Sequence, residues 1–188
     1  HLQMKKVINI YRNNKYKIIS AKFIIPKPNK KSILMSKKLH GGVLMDMGPY
    51  ISSIPRLFNL KSMLKKRVKI KYNKEKLIIS TKFFINFKNG KYNGVFEFGG
   101  DYKNQLKVSD NTKTSIVKRV FSPPDNENLS LRLVYKKTKR TIKFKKDNCF
   151  KNFFTEVLKI IKNKKYNYYY KRMNEDLIFR SNFIKKIV

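Results

Sequence analysis

The chain predicts an α+β fold: a predominantly antiparallel open sheet with helices packed on one face. Three observations carry this. The order of elements is helix, strand, helix, a long run of consecutive strands, then two helices, which segregates helices from strands. The strands are short, alternating and separated by turn residues, above all Lys88-Asn89-Gly90-Lys91. The 188 residues, 41% of them apolar, suit a single domain spanning 1–188 with a substantial core.

The elements follow in order. His1 to Asn14 reads as a helix, with Leu2, Val7, Ile10 and Tyr11 on one side and Lys5, Lys6 and Arg12 at polar positions. Tyr16 to Ile25 reads as a strand, ended by Pro26 and Pro28. Lys27 to His40 is a basic loop. From about Tyr50, the residues Ile51, Ile54, Leu57 and Phe58 recur at helical spacing as far as Leu60, and Pro49 suits the first turn. Arg67 to Tyr72, Leu77 to Phe87 and Tyr92 to Phe98 read as strands, the last two joined by the Asn-Gly turn with its capacity for positive φ. Leu106 to Ser109, Thr114 to Phe121, Leu129 to Tyr135 and Thr141 to Phe144 continue the β pattern. Asp147 or Asn148 caps a helix whose apolar face is Phe150, Phe153, Phe154, Val157, Leu158 and Ile161. Tyr166, Tyr168, Tyr169 and Tyr170, interleaved with Lys165, Lys171 and Arg172, read as an aromatic edge of the core, with base stacking the alternative. Asn174 to Val188 closes as a helix.

The formal charge of +35 points first to nucleic acid or an anionic surface. However, the cations are spread along the whole chain, and only eight of the 46 are Arg. Asn, Ile, Phe and Tyr are abundant beside Lys, and all five have A/T-rich codons, so codon bias takes the larger share of the charge. Cys149 is the sole cysteine, which excludes an intrachain disulfide, and His1 and His40 are far apart, which argues against a metal site. No apolar run reaches membrane-spanning length. Gly99-Gly100 lacks the Gly-Lys-Ser/Thr ending of a phosphate loop, and no Gly-x-Gly-x-x-Gly follows a strand anywhere, so this chain alone is not expected to hold a dinucleotide.

Gly41-Gly42-Val43-Leu44-Met45-Asp46-Met47-Gly48-Pro49-Tyr50 concentrates the chemistry. The paired glycines allow a tight turn and close approach to the backbone. A helix already running at Asp46 would set Asp46 and Tyr50 one turn apart on one face. The plain alternative makes Asp46 an N-cap and Tyr50 an ordinary core residue.

Residues 23 to 58 resemble the second domain of the Gfo/Idh/MocA family of oxidoreductases, through Phe23-Ile-Ile-Pro-Lys-Pro28, His40-Gly-Gly-Val-Leu-Met-Asp46-Met-Gly48-Pro-Tyr50 and Arg56-Leu-Phe58. Asp101-Tyr-x-Asn-Gln105 and Arg119-Val-Phe-Ser-Pro-Pro124 extend the likeness over most of the chain. The resemblance implies a substrate-binding and oligomerisation domain of an NAD(P)-dependent oxidoreductase acting on a sugar or sugar derivative. It makes Asp46 and Tyr50 the catalytic pair, Asp46 orienting the substrate hydroxyl and Tyr50 relaying its proton. Gly41, Gly42 and Gly48 would shape the backbone around substrate, and Lys30 and Lys31 would meet an anionic group on it. NAD or NADP would be held by a nucleotide-binding domain outside this chain. The resemblance further implies a cytoplasmic homo-oligomer formed through the open sheet face, and a late Asn-x-Phe helix packed on the sheet. Two departures bear on substrate choice: the loop before the glycines lacks an arginine, and His40 replaces the first glycine. The competing classes are a basic module binding nucleic acid or another polyanion, and a non-catalytic oligomerisation scaffold.

Overall fold

A computed structural model describes residues 1–136 and 138–185. Helix α1 (Leu2–Tyr11) leads into strand β1 (Lys17–Ile25). A 3-10 turn at Ile33–Met35 precedes the short helix α2 (Val43–Asp46) and helix α3 (Gly48–Leu57). Seven strands follow: β2 (Met63–Tyr72), β3 (Ile78–Phe87), β4 (Gly90–Phe98), β5 (Lys103–Ser109), β6 (Lys113–Lys118), β7 (Ser130–Tyr135) and β8 (Thr138–Lys143). Helices α4 (Cys149–Lys162) and α5 (Tyr166–Ile184) close the described chain. The end of the closing helix expected to reach Val188 lies outside the described residues.

The strands form one eight-stranded sheet in the order β2-β3-β4-β1-β5-β6-β7-β8. Only β1 and β4 run parallel, so the sheet is two antiparallel meanders flanking β1. This is the α+β architecture the element order predicts. The β3–β4 hairpin turns where the Asn-Gly signal places it, with Phe87 paired to Gly90. Its mechanism differs from the expected one, because neither Asn89 nor Gly90 adopts positive φ. Gly90 is needed for close approach: a Cβ there would lie 2.3 Å from the Lys17 carbonyl oxygen of the neighbouring strand.

The covered face carries Ile19, Phe83, Ile85, Phe96, Leu106 and Leu131, all buried. Phe183 of α5 meets the Phe83 ring edge-on at 5.1 Å, and Phe179 stacks on Phe87. Arg56 of α3 and Asp176 of α5 form a two-pronged ion pair that joins these helices. Lys17 is fully buried, and its Nζ donates to the Arg12 and Phe58 carbonyls, tying the ends of α1 and α3 to β1. Burial, with the charge of Lys61 second, pulls its pKa down.

The opposite face is open and basic. By strand register it presents Lys22, Arg67, Lys69, Lys82, Lys91 and Lys107, and Glu97 is the one acid at strand positions there among the described residues.

Helix α4 departs from expectation. Asn148 caps it by accepting the Lys151 N–H, as its sequence suggests. Its apolar face, however, does not pack on the sheet: Phe150 is 72% exposed and Leu158 65% exposed, and none of its residues is buried. The tyrosines are likewise no core edge. They open α5, with Tyr166, Tyr168 and Tyr170 exposed and Arg172 lying 4.0 Å over the Tyr168 ring. None of the described helices is long and apolar enough to cross a membrane.

Candidate functional site

The glycine-rich stretch folds as a bent double helix over the covered face. Gly42, at φ 100°, starts α2 in a conformation that side chains resist. Gly41 packs so tightly that an added Cβ would lie 2.5 Å from the Ile33 and Leu34 carbonyl oxygens. The chain then bends at Met47, which ends α2 and begins α3. Pro49 falls in the first turn of α3, where its missing N–H costs nothing. Gly48 faces Arg180 of α5, with room for a Cβ only 3.2 Å from Nε. Arg180 in turn donates to the Leu44 carbonyl at 3.0 Å, which closes the C-terminal side of α2.

This bend changes the reading of Asp46. It is the last residue of α2, and α3 has no side-chain cap bond, so Asp46 is not an N-cap. Asp46 is exposed as a residue, yet partial burial of its carboxyl pushes its pKa up. No ion pair among the described residues involves Asp46: those present are Arg56–Asp176, Lys113–Asp110 and Arg119–Glu127.

Tyr50 is half-buried. Its ring meets Phe23 of β1 edge-on at 5.6 Å and Phe121 at 5.5 Å. Burial raises its pKa, and the nearby Asp46 and Cys149 add to the rise. Tyr50 is therefore protonated at neutral pH in this chain, where its hydroxyl can donate a hydrogen bond.

The structure thus brings Asp46, Tyr50, Gly41, Gly42 and Gly48 together, and adds Cys149 from the first turn of α4. Lys30 and Lys31 stand in an exposed turn, where no hydrogen bond or ion pair links their side chains to Asp46 or Tyr50. Sequence reasoning did not place Phe23, Phe121 and Cys149 around Tyr50; only the pairing of β1 with β5 and the position of α4 do so. No group of His, Cys, Asp and Glu that could hold a metal occurs among the described residues. A groove of about 870 Å³ lies elsewhere, between β2 and the end of α5, and neither Asp46 nor Tyr50 lines it.

The fold is shared with solved oxidoreductases at low sequence identity. KijD10, a 3-ketoreductase from Actinomadura kijaniata crystallised with TDP-benzene and NADP, matches with a TM-score of 0.75 and 15% identity, over 96% of this chain and 55% of its own. UDP-N-acetylglucosamine 3-dehydrogenase GnnA from Acidithiobacillus ferrooxidans matches at 0.64 and 10% identity, over 86% and 50%. An aldose-aldose oxidoreductase from Caulobacter crescentus, complexed with glycerol, matches at 0.63 and 13%, over 78% and 45%. The chain therefore spans about half the length of these structures. No family model matches it, and no curated protein does.

Proposed function

We propose that this chain is the substrate-binding domain of an NAD(P)-dependent oxidoreductase acting on a sugar or sugar derivative. The observation that carries the reading is the placement of Asp46 beside a half-buried Tyr50 on the helix pair that covers the sheet, within a fold shared with sugar oxidoreductases. The residues of this chain do not fit a dinucleotide: its one parallel strand pair is not joined by a glycine-fingerprint turn. The cofactor, expected from the NADP in the neighbour structures, belongs to a second domain. The exposed apolar face of α4 suits docking of that domain.

A nicotinamide supplies or accepts the hydride in such a reaction. The residues here handle the hydroxyl proton. Tyr50, protonated at neutral pH, donates that proton to the carbonyl oxygen as a ketone is reduced, and Asp46 accepts a hydrogen bond from a neighbouring substrate hydroxyl and orients it. A nicotinamide enzyme of this type works in the cytoplasm, and a homo-oligomer through the open sheet face belongs to the same reading.

The test is turnover of sugars and nucleotide sugars by this chain joined to its nucleotide-binding domain. Tyr50→Phe and Asp46→Ala should each lower kcat/KM by about 10²-fold or more. Full activity in both variants overturns the assignment. The basic open face favours a second reading, polyanion binding. Selective, tight RNA or DNA binding that persists at physiological salt would establish that reading instead.

A further inference from the structure

Across Phe121 from Tyr50 lies a polar cluster that proton transfer does not use. Asn104 of β5 is buried, beside Phe23 in the sheet register. Its Oδ1 accepts the Phe121 N–H at 3.0 Å. A backbone N–H only donates, so the amide orientation is fixed and Nδ2 faces the other way. Nδ2 donates to Ser122 Oγ at 2.9 Å and to Tyr102 Oη at 3.2 Å. Both hydroxyl oxygens therefore accept, and each must find an acceptor for its own proton. They are 3.3 Å apart, so one donates to the other. The remaining hydroxyl proton has no acceptor among the described residues.

A cation stands beside it. The Arg119 guanidinium lies 5.1 Å from the Tyr102 ring centroid. Arg119 is held there by its N–H, which donates to the Asn104 carbonyl at 2.7 Å, and by a left-handed backbone, φ 56°, that a non-glycine residue rarely adopts. Its carboxylate partner among the described residues is Glu127, at 3.7 Å, and both side chains are exposed. Such a pair is weak and easily displaced. Burial alone would raise the Tyr102 pKa, but the hydrogen bonds of Ser122, Asn104 and Arg119 outweigh it and bring it down. The cluster offers donors and positive charge together.

We infer that Tyr102, Ser122 and Arg119, oriented by Asn104, seat an oxyanion of the sugar substrate, a carboxylate or a phosphate, one aromatic ring away from Tyr50. This rests on the sugar-oxidoreductase reading and deepens it: the substrate carries an acidic group. Two hydroxyls and one amide set the geometry, and Arg119 supplies the charge-assisted bond. Phe121 links the two halves, since its N–H fixes Asn104 and its ring packs on Tyr50.

The test is a titration of the 188-residue chain with glucuronate, UDP-glucose and glucose, by calorimetry at about 0.15 M salt, where diffuse attraction is screened. Glucuronate or UDP-glucose should bind at least ~10-fold more tightly than glucose, and whichever does so identifies carboxylate or phosphate. Tyr102→Phe, Ser122→Ala and Arg119→Gln should each weaken that binding by roughly fivefold or more. Lys91→Gln, which removes the same charge from the open sheet face, should leave it unchanged. Equal affinity for all three ligands overturns the inference, and so does an equal loss in Lys91→Gln. Tyr50→Phe separates the two readings, because it should lower kcat/KM in the completed enzyme by about 10²-fold or more and spare anion binding. Turnover of neutral sugars with no anion preference removes the seat and leaves the function standing.

Discussion

At the scale of single residues, the bend at Met47 decides what Asp46 can be. Asn caps a helix about as well as Asp, so a capping carboxylate would tolerate Asp46→Asn in both stability and rate. No cap bond involves Asp46 here, so the substitution should leave the melting temperature in place while lowering kcat/KM in the completed enzyme. A silent rate would make Asp46 a bystander. Asp110 is a different kind of carboxylate. It accepts from Thr112 N–H, Thr112 Oγ and Lys113 N–H at 2.7–2.8 Å, closing the β5–β6 turn. Its partial burial raises its pKa, but these bonds and Lys113 outweigh the burial and pull it down to about 2. A folded pKa below the unfolded value stabilises the fold above the unfolded value, near 3.9, and that stabilisation disappears as the pH falls to about 2. After discounting for solvent screening, Asp110→Asn should cost about 1 kcal/mol near neutral pH. The gap between variant and wild-type melting curves should close between about pH 4 and pH 2. A gap that persists at low pH would show that the turn depends on shape and not on the carboxylate's charge.

At the scale of elements, α4 and β3 carry apolar faces that the sequence does not distinguish and the structure does. Phe83 sits among Tyr92, Phe96 and Phe183, so Phe83→Ala should cost about 3–5 kcal/mol in denaturant unfolding. Phe154→Ser and Leu158→Ser on α4 touch no core in this chain and should shift stability by less than about 0.5 kcal/mol. In the completed enzyme the same two substitutions should destabilise, because the docked domain would then cover them. Strands and turns were largely legible, since alternation and turn chemistry are local: the β3–β4 hairpin, the Pro49 first turn and the Asn148 cap all fall where the residues put them. Three features were not legible. The Met47 bend comes with the close packing of Gly48 on Arg180, a contact across 132 positions of sequence. The exposure of α4 depends on what else the element packs against, and an amphipathic pattern looks the same whether its partner is present or not. The ring cluster around Tyr50 exists only because β1 pairs with β5.

At the scale of the whole molecule, the +35 charge acquires a place. Codon bias enriches lysine at any position that tolerates it, and many outward positions of an uncovered sheet do. The result is a face of Lys22, Arg67, Lys69, Lys82, Lys91 and Lys107 with Glu97 the sole acid at its described strand positions. Two copies stacked through this face would bring like charges together at the spacing of packed sheets, about 10 Å. The Debye length at physiological salt is about 8 Å, so screening removes only part of that repulsion. Homo-oligomerisation through this face should therefore strengthen with salt. Sedimentation at about 0.05 M and about 0.5 M salt should show the larger species gaining at the higher value. Lys82→Glu, which gives each copy an acid to set against its partner's cations, should promote association at the lower one. Polyanion binding by the same face has the opposite dependence, because releasing counterions favours it most at low salt. Self-association that weakens with salt, or that ignores Lys82→Glu, would exclude the sheet face as the interface and leave it to an anionic partner.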